Sequence, residues 1–373
     1  MAKAKIIGHE WNLAAIWEES FRCLPDRPMQ KRNYIYASEL GGSYHDRYLK
    51  MNAHPFSNPY NFRSQGKMMA GKFFESVVKQ ILVATGIYQA SQVRSEIELP
   101  GCIKVAGKLD FVAGGNIDWD EAKHRAEKMK ELFALTFDDL SPFVNHTTDK
   151  ILVHFQNLFT HVPLMKMILE VKSVSGFIFQ LIKNGNKPRG GHPLQVLHYL
   201  LGNKDIERGL IPYINREDVM IQEFYITREK NLLKQYKEDV ATMTHYYNEG
   251  AMGYMKHLPP KDPELIYEEA SFKFVKNNKV EYSPYLTMSY GYKSIDNFKE
   301  KWDKSISSWN SAFRRFVLEG KPTGKLGNPL KLSDANKQTR DAAIKYFPDW
   351  DKYVAKAKAA GAFQKPEEEG EDE

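Results

Sequence analysis

The stretch MILEVKSVSGFIF, residues 167–179, carries Glu170 and Lys172 inside a run otherwise apolar enough to be a buried strand. Alternate side chains of a strand share a face, so Ile168, Glu170 and Lys172 point one way while Leu169 and Val171 point the other. A second acid, Asp110, leaves the apolar run VAGKLDFV on the same side as Lys108, opposite Val105, Leu109 and Phe111. If these two strands pair, Asp110 meets Glu170. Two carboxylates brought together out of water repel each other and lose hydration, and a divalent cation between them offsets both costs. Oxygen donors of this kind predict Mg²⁺ or Mn²⁺. A third acid, Glu75, sits at the edge of an apolar helical stripe among Phe73, Phe74, Val77 and Val78. Gln195 and Tyr199 are spaced i, i+4 and so neighbour each other on one helix face, where they can orient a ligand or Lys172.

The elements that must position these residues follow from periodicity. Ala70, Phe74, Val77, Val78, Ile81 and Leu82 recur at helical spacing from Lys67 to about Thr85, with Gly86 placed to end the helix. Residues 94–115 contain two β-rich runs around Pro100-Gly101 and predict a hairpin. A charged helix is expected over 118–135, and a strand over about 166–174. Residues 183–192, KNGNKPRGGH, predict a basic, glycine-rich loop before a helix that has Pro193 near its start and Gly202 past its end. VMIQEFYIT (219–227) predicts a strand, followed by a helix to about 248. Residues 257–265 suit a linker, and 270–292 suggest two further strands. A long amphipathic helix comes next, then small terminal helices. Upstream, 33–52 reads as a short extended piece followed by a helix capped at Ser38. The fold class is α/β, a central mixed sheet flanked by helices.

Taken in order, Gly71-x-x-x-Glu75, Gly107-x-x-Asp110, Glu170-x-Lys172 and Gln195-x-x-x-Tyr199 resemble the PD-(D/E)XK nuclease superfamily, in its RecB-like exonuclease branch. Each piece alone is weak, but four in sequence on helix, hairpin, strand and helix form a coherent set. The resemblance covers roughly residues 34–230. It implies a restriction-endonuclease-like core over 67–250 with an inserted helical segment at about 116–160. A helical lead-in would occupy 1–66, a C-terminal α+β extension 251–362 and a disordered acidic tail 363–373. The 59 residues between Asp110 and Glu170 exceed the family's usual spacing, so the insertion must leave the strand pairing intact.

The resemblance further implies that Asp110, Glu170 and the Val171 carbonyl are metal ligands and that Glu75 is a direct or water-mediated one. Lys172 would position or activate the attacking water, while Gln195 and Tyr199 would anchor DNA and the active-site helix. Relatives often place a cysteine of an iron–sulfur cluster near the position of Ser43. The only cysteines here are Cys23 and Cys102, so a cluster-free member is expected. The implied activity is a metal-dependent deoxyribonuclease, an exonuclease acting on DNA ends or single strands in recombination, repair or replication. A stand-alone nuclease of this size suits a bacteriophage, with recombination or replication proteins as partners.

Charge agrees with a polyanionic substrate. The net charge of +6 includes a tail, 367–373, with six carboxylates, so residues 1–366 carry +12. Lys183, Lys187 and Arg189 suit phosphate contact. Tyr282, Tyr285, Tyr290 and Tyr292 could stack bases, although buried packing is the better expectation for most of them. No run approaches a membrane span, no targeting signal is evident and two cysteines far apart in sequence, with no C-x-x-C, suit a reducing compartment, so a cytoplasmic address is expected. His192 and His198 are too few for a zinc site and read as core or loop histidines. GKPTGKLG (320–327) imitates a phosphate-binding loop, but it has one residue too few between its glycines and Leu326 in place of the magnesium-binding hydroxyl, so no nucleotide is expected. The competing reading is a non-catalytic nucleic-acid-binding or assembly protein that retains the fold, with Glu170 and Lys172 as a simple ion pair.

Overall fold

The structure, a computed structural model, describes residues 20, 29–58, 62–134, 147–161, 164–251, 258–268 and 273–318. The readings made for the chain start, for 320–327, for the terminal helices and for the acidic tail lie outside these residues. By internal contacts two units are present, one within Met1–Gly42, Arg47–His54 and Tyr60–Leu258, the other within Ser43–Asp46, Pro55–Pro59 and Pro259–Glu373.

Strand β1 (Tyr34–Tyr36) runs into a short 3-10 turn at Ala37–Glu39 that contains Ser38, and helix α1 spans Tyr44–Met51. The hydroxyl that caps this helix belongs to Ser43, which accepts the Asp46 N–H at 3.2 Å. Ser38 is therefore not the cap. Helix α2 (Phe62–Ala84) stops at Gly86, whose φ of +78° only glycine adopts without strain. Strands β2 (Tyr88–Ile97) and β3 (Lys104–Ala113) form the expected hairpin, paired from Ile97↔Val105 to Tyr88↔Ala113. Between β3 and β4 lie α3 (Trp119–Ala134) and α4 (Thr147–Phe159). Ala122, Ala126, Met129 and Leu152 bury against Val83 and Ala84 at the end of α2, a small core that these helices share with α2.

The expected strand over 166–174 is two short ones, β4 (Met167–Leu169) and β5 (Lys172–Val174). Both pair in parallel with β6 (Arg208–Asn215) in a single register, Met167↔Arg208 through Val174↔Asn215. The break falls at Glu170 and Val171. Glu170 N–H donates to the Leu210 carbonyl at 3.0 Å. In a parallel ladder the Glu170 carbonyl would then accept from residue 212, and Pro212 has no N–H to give.

Helix α5 (Gly176–Gly185) already contains Lys183, so the basic loop begins only at Asn186. Helix α6 (His192–Gly202), β7 (Ile221–Ile226) and α7 (Lys230–Ala251) complete the unit. The β6 strand was not among the sequence expectations.

The result is a mixed seven-stranded sheet among the described residues, flanked by helices as in a restriction-endonuclease-like core. β2 and β7 lie at its edges, antiparallel to β3 and β6. On one face Phe74, Val78 and Leu82 of α2 pack on Phe111, Leu169, Val171, Leu210 and Ile214. On the other, α6 lies close enough that a Cβ on Gly209 of β6 would come within 2.2 Å of Val196. The lead-in is tied down by Arg47, 2% exposed, which donates twice to Asp239 of α7 at 2.8 Å.

In the second unit β8 (Leu265–Glu268) pairs with β9 (Lys273–Lys276). Residues expected as a further strand are instead α8 (Asn278–Glu281) and α9 (Leu286–Tyr290), followed by α10 (Ile295–Leu318). Asn277 caps α8 by accepting the Lys279 N–H, and Gly291, φ +77°, ends α9. Local capping outweighs the strand preference of the tyrosines and valine there. Tyr285 and Tyr292 are buried and only Tyr282 is largely exposed, as expected for packing residues. No helix among the described residues is long and apolar enough to cross a membrane.

Candidate active site

Strand β3 has two partners on the side away from β2. β1 pairs with its first residues, 104–106, and β4 with its last, 111–113. Gly107 to Asp110 lie in the gap between them. The register Phe111↔Leu169 puts Asp110 opposite Glu170, across a 59-residue connection.

Side chains satisfy the main chain in this gap. Asp110 Oδ2 accepts the Val171 N–H at 2.9 Å, and the Tyr199 hydroxyl donates to the Lys108 carbonyl at 2.9 Å. Tyr199 reaches that carbonyl only because residue 107 is glycine. A Cβ there would stand 2.7 Å from the Ala37 Cβ and 3.0 Å from the Tyr199 ring. Gln195 Nε2 uses its two protons on Tyr199, at 3.1 Å, and on Glu170 Oε1, at 2.8 Å. Lys172 Nζ donates to the same Oε1 at 2.7 Å. One oxygen of Glu170 is thus doubly held, while Oε2 is buried and has no hydrogen-bond partner.

The electrostatics are costly. Burial, then the charges of Glu170 and Glu75, push the Asp110 carboxyl up from 3.8 to about 8, against the pull of Lys172 and the Val171 N–H. Burial also raises Glu170, and the adjacent Lys172 only partly opposes it. Asp110 and Glu170 are 8% and 3% exposed. Buried oxygens that repel each other, one of them without a partner, fit a hard divalent cation. Val171, in the break between β4 and β5, touches the pair through its N–H on Asp110. Glu75 is half-buried on α2, and its charge reaches both acids. Among the described residues, however, no three His, Cys, Asp or Glu side chains gather closely enough to hold a metal together. Glu75 therefore stands back from the Asp110–Glu170 pair.

Lys183 and Lys187 are exposed on α5 and in the loop after it, and Arg189 is half-buried. The Arg189 N–H donates to the Tyr213 hydroxyl at 2.9 Å, and His192 Nδ1 lies 2.7 Å from the same oxygen. Tyr213 is the β6 neighbour of Lys172. From the sequence His192 reads as a core or loop histidine, and nothing singles out Tyr213. The available signal was the position of His192, three residues before Gln195 on the same helix face.

No protein-family model and no curated protein matches the chain. Among solved structures the chain is similar to SSO0001, at TM-score 0.34 and 12% identity, over 62% of this chain and 87% of that one. It is also similar to an alkaline exonuclease, LHK-Exo, from Laribacter hongkongensis, at TM-score 0.32 and 11% identity, over 59% and 94%. A phage related exonuclease from Haemophilus somnus 129PT follows at TM-score 0.27 and 12% identity, over 50% and 73%.

Proposed function

We propose that the chain is a metal-dependent deoxyribonuclease of the PD-(D/E)XK type, RecB-like branch, acting as an exonuclease on DNA ends or single strands. The observation that carries this reading is the buried Asp110–Glu170 pair. One Glu170 oxygen is fixed by Lys172 and Gln195 and the other is without a partner. A site built only for stability would satisfy that oxygen or replace the pair by apolar residues.

Asp110, Glu170 and the Val171 carbonyl would hold Mg²⁺ or Mn²⁺, with Glu75 reaching it through water. The bound ion would supply a more acidic water and neutralise charge on the phosphate. The protein's own groups do the rest. Lys172 brings its ammonium to the same carboxylate edge, where it can hold the attacking water by a hydrogen bond and offset negative charge gathering on the phosphate oxygens. Gln195 and Tyr199 lock Glu170 to the Lys108 carbonyl, so the carboxylate is oriented before substrate arrives. Lys183, Lys187 and Arg189 would take backbone phosphates. No nucleotide or iron–sulfur cluster has a role in this reading. A cytoplasmic setting, that of the host for a phage-encoded chain, and recombination or replication partners are its extension.

End-labelled single- and double-stranded DNA, incubated with Mg²⁺ or Mn²⁺ and with EDTA, tests the proposal. Stepwise, metal-dependent shortening is expected, falling at least about a hundredfold in Lys172→Ala. DNA that is bound but never cut would favour a non-catalytic binding protein.

A further inference from the structure

His192, Gln195 and Tyr199 are spaced i, i+3, i+7 and share one face of α6. Gln195 and Tyr199 serve Glu170 and the Lys108 carbonyl, whereas His192 turns to Tyr213. The Tyr213 hydroxyl accepts the Arg189 N–H and is also in hydrogen-bond contact with His192 Nδ1. Tyr213 is 0% exposed, and burial pushes its pKa up to about 12, so it keeps its proton. A buried hydroxyl proton needs an acceptor, and an amide N–H cannot be one. His192 Nδ1 must therefore accept it, which leaves the ring proton on Nε2. Burial, then the Lys172 and Arg189 cations, hold His192 down to about 3, so the ring stays neutral. Among the described residues Nε2–H has no protein acceptor, and it is not sealed from solvent.

A neutral N–H donor of fixed direction, beside two cations and one helical turn from the Glu170 anchor, is suited to an anionic oxygen. We infer that His192 Nε2–H donates to a phosphate oxygen of the DNA strand held at the Asp110–Glu170 site, with Tyr213 setting its tautomer. The inference rests on the nuclease reading above and adds a substrate-binding group to it.

Protein labelled with ¹⁵N-histidine provides a readout independent of cleavage. In EDTA, where nothing is cut, His192 is expected to carry its proton on Nε2 between pH 5 and 8, and Tyr213→Phe should release that preference. Addition of a short single-stranded oligonucleotide should shift the Nε2 resonance. His192→Ala should weaken oligonucleotide binding about tenfold, the worth of roughly one good hydrogen bond. His192→Gln places a donor where Nε2 stood, so it should stay within about threefold of the parent.

A proton found on Nδ1, an Nε2 signal unmoved by bound oligonucleotide, or unaltered affinity in His192→Ala would overturn the assignment. If the parent protein binds DNA with the Nε2 shift but never cuts, the nuclease reading fails and the His192 contact stands. If it cuts and His192→Ala matches it in binding and cleavage, the contact fails alone. Absence of any DNA binding overturns both.

Discussion

Asp110→Asn should stabilise the metal-free protein, because Asp110 is held in a place that resists its charge. In the folded chain its carboxyl is pushed from 3.8 to about 8 by burial, Glu170 and Glu75. The native state then keeps a proton that the unfolded chain has lost, so stability falls as pH rises from about 4 to about 8 and levels off above. This is the reverse of an ion-paired carboxylate with a lowered pKa. Each tenfold displacement is about 1.4 kcal/mol, and ionised Asp110 opposes folding by on the order of 5 kcal/mol at pH 9. Asparagine has nearly the same shape and can still accept the Val171 N–H. In EDTA its advantage over the parent should grow by about 4 kcal/mol between pH 5 and pH 8. Thermal or urea unfolding across that range measures it. Mg²⁺ should narrow that gap, stabilising the parent by about 3 kcal/mol at a hundredfold excess over Kd and leaving the variant unmoved. Two unfolding curves in EDTA that stay parallel from pH 5 to 8 would refute the electrostatic account of the site.

Three further outcomes follow from the packing and surface charge. Gly107→Ala puts a methyl group 2.7 Å from the Ala37 Cβ and 3.0 Å from the Tyr199 ring. It should cost about 1–3 kcal/mol by urea unfolding, and lower cleavage by displacing Tyr199 from the Lys108 carbonyl. Asp239→Ala removes the carboxylate that Arg47 holds through two bonds and leaves a guanidinium 2% exposed. A loss of about 3–5 kcal/mol is expected, and a loss under about 1 kcal/mol would mean the arginine finds water. Lys183→Ala with Lys187→Ala changes two exposed side chains, so stability should hold while the logarithmic salt dependence of DNA affinity falls by about 1–2. An unchanged slope would place the DNA elsewhere.

The parts of the site that strict alternation or helical spacing describes were legible before the fold was known. Asp110 and Glu170 each leave an apolar strand on its polar side, and Gln195 and Tyr199 repeat at one helical turn. What stayed hidden was whatever depends on a neighbour far along the chain. The tyrosines near 285 suggest strands until Asn277 and Gly291 are seen to bracket two short helices. Strand β6 contains Gly209 and Pro212, residues that count against a central strand. Each is explained only by its surroundings, since Gly209 leaves room for Val196 and Pro212 lies by register opposite Val171. Without β6 there is no Tyr213, and His192 then looks like any loop histidine. Pro212 withholds the N–H that would have tied the Glu170 carbonyl into the ladder, and β4 and β5 part at that point. The Val171 N–H points to the other edge of the strand, toward β3, where it binds Asp110. The residue that hides β6 from pattern reading is therefore the one opposite which β4 and β5 part, next to Glu170.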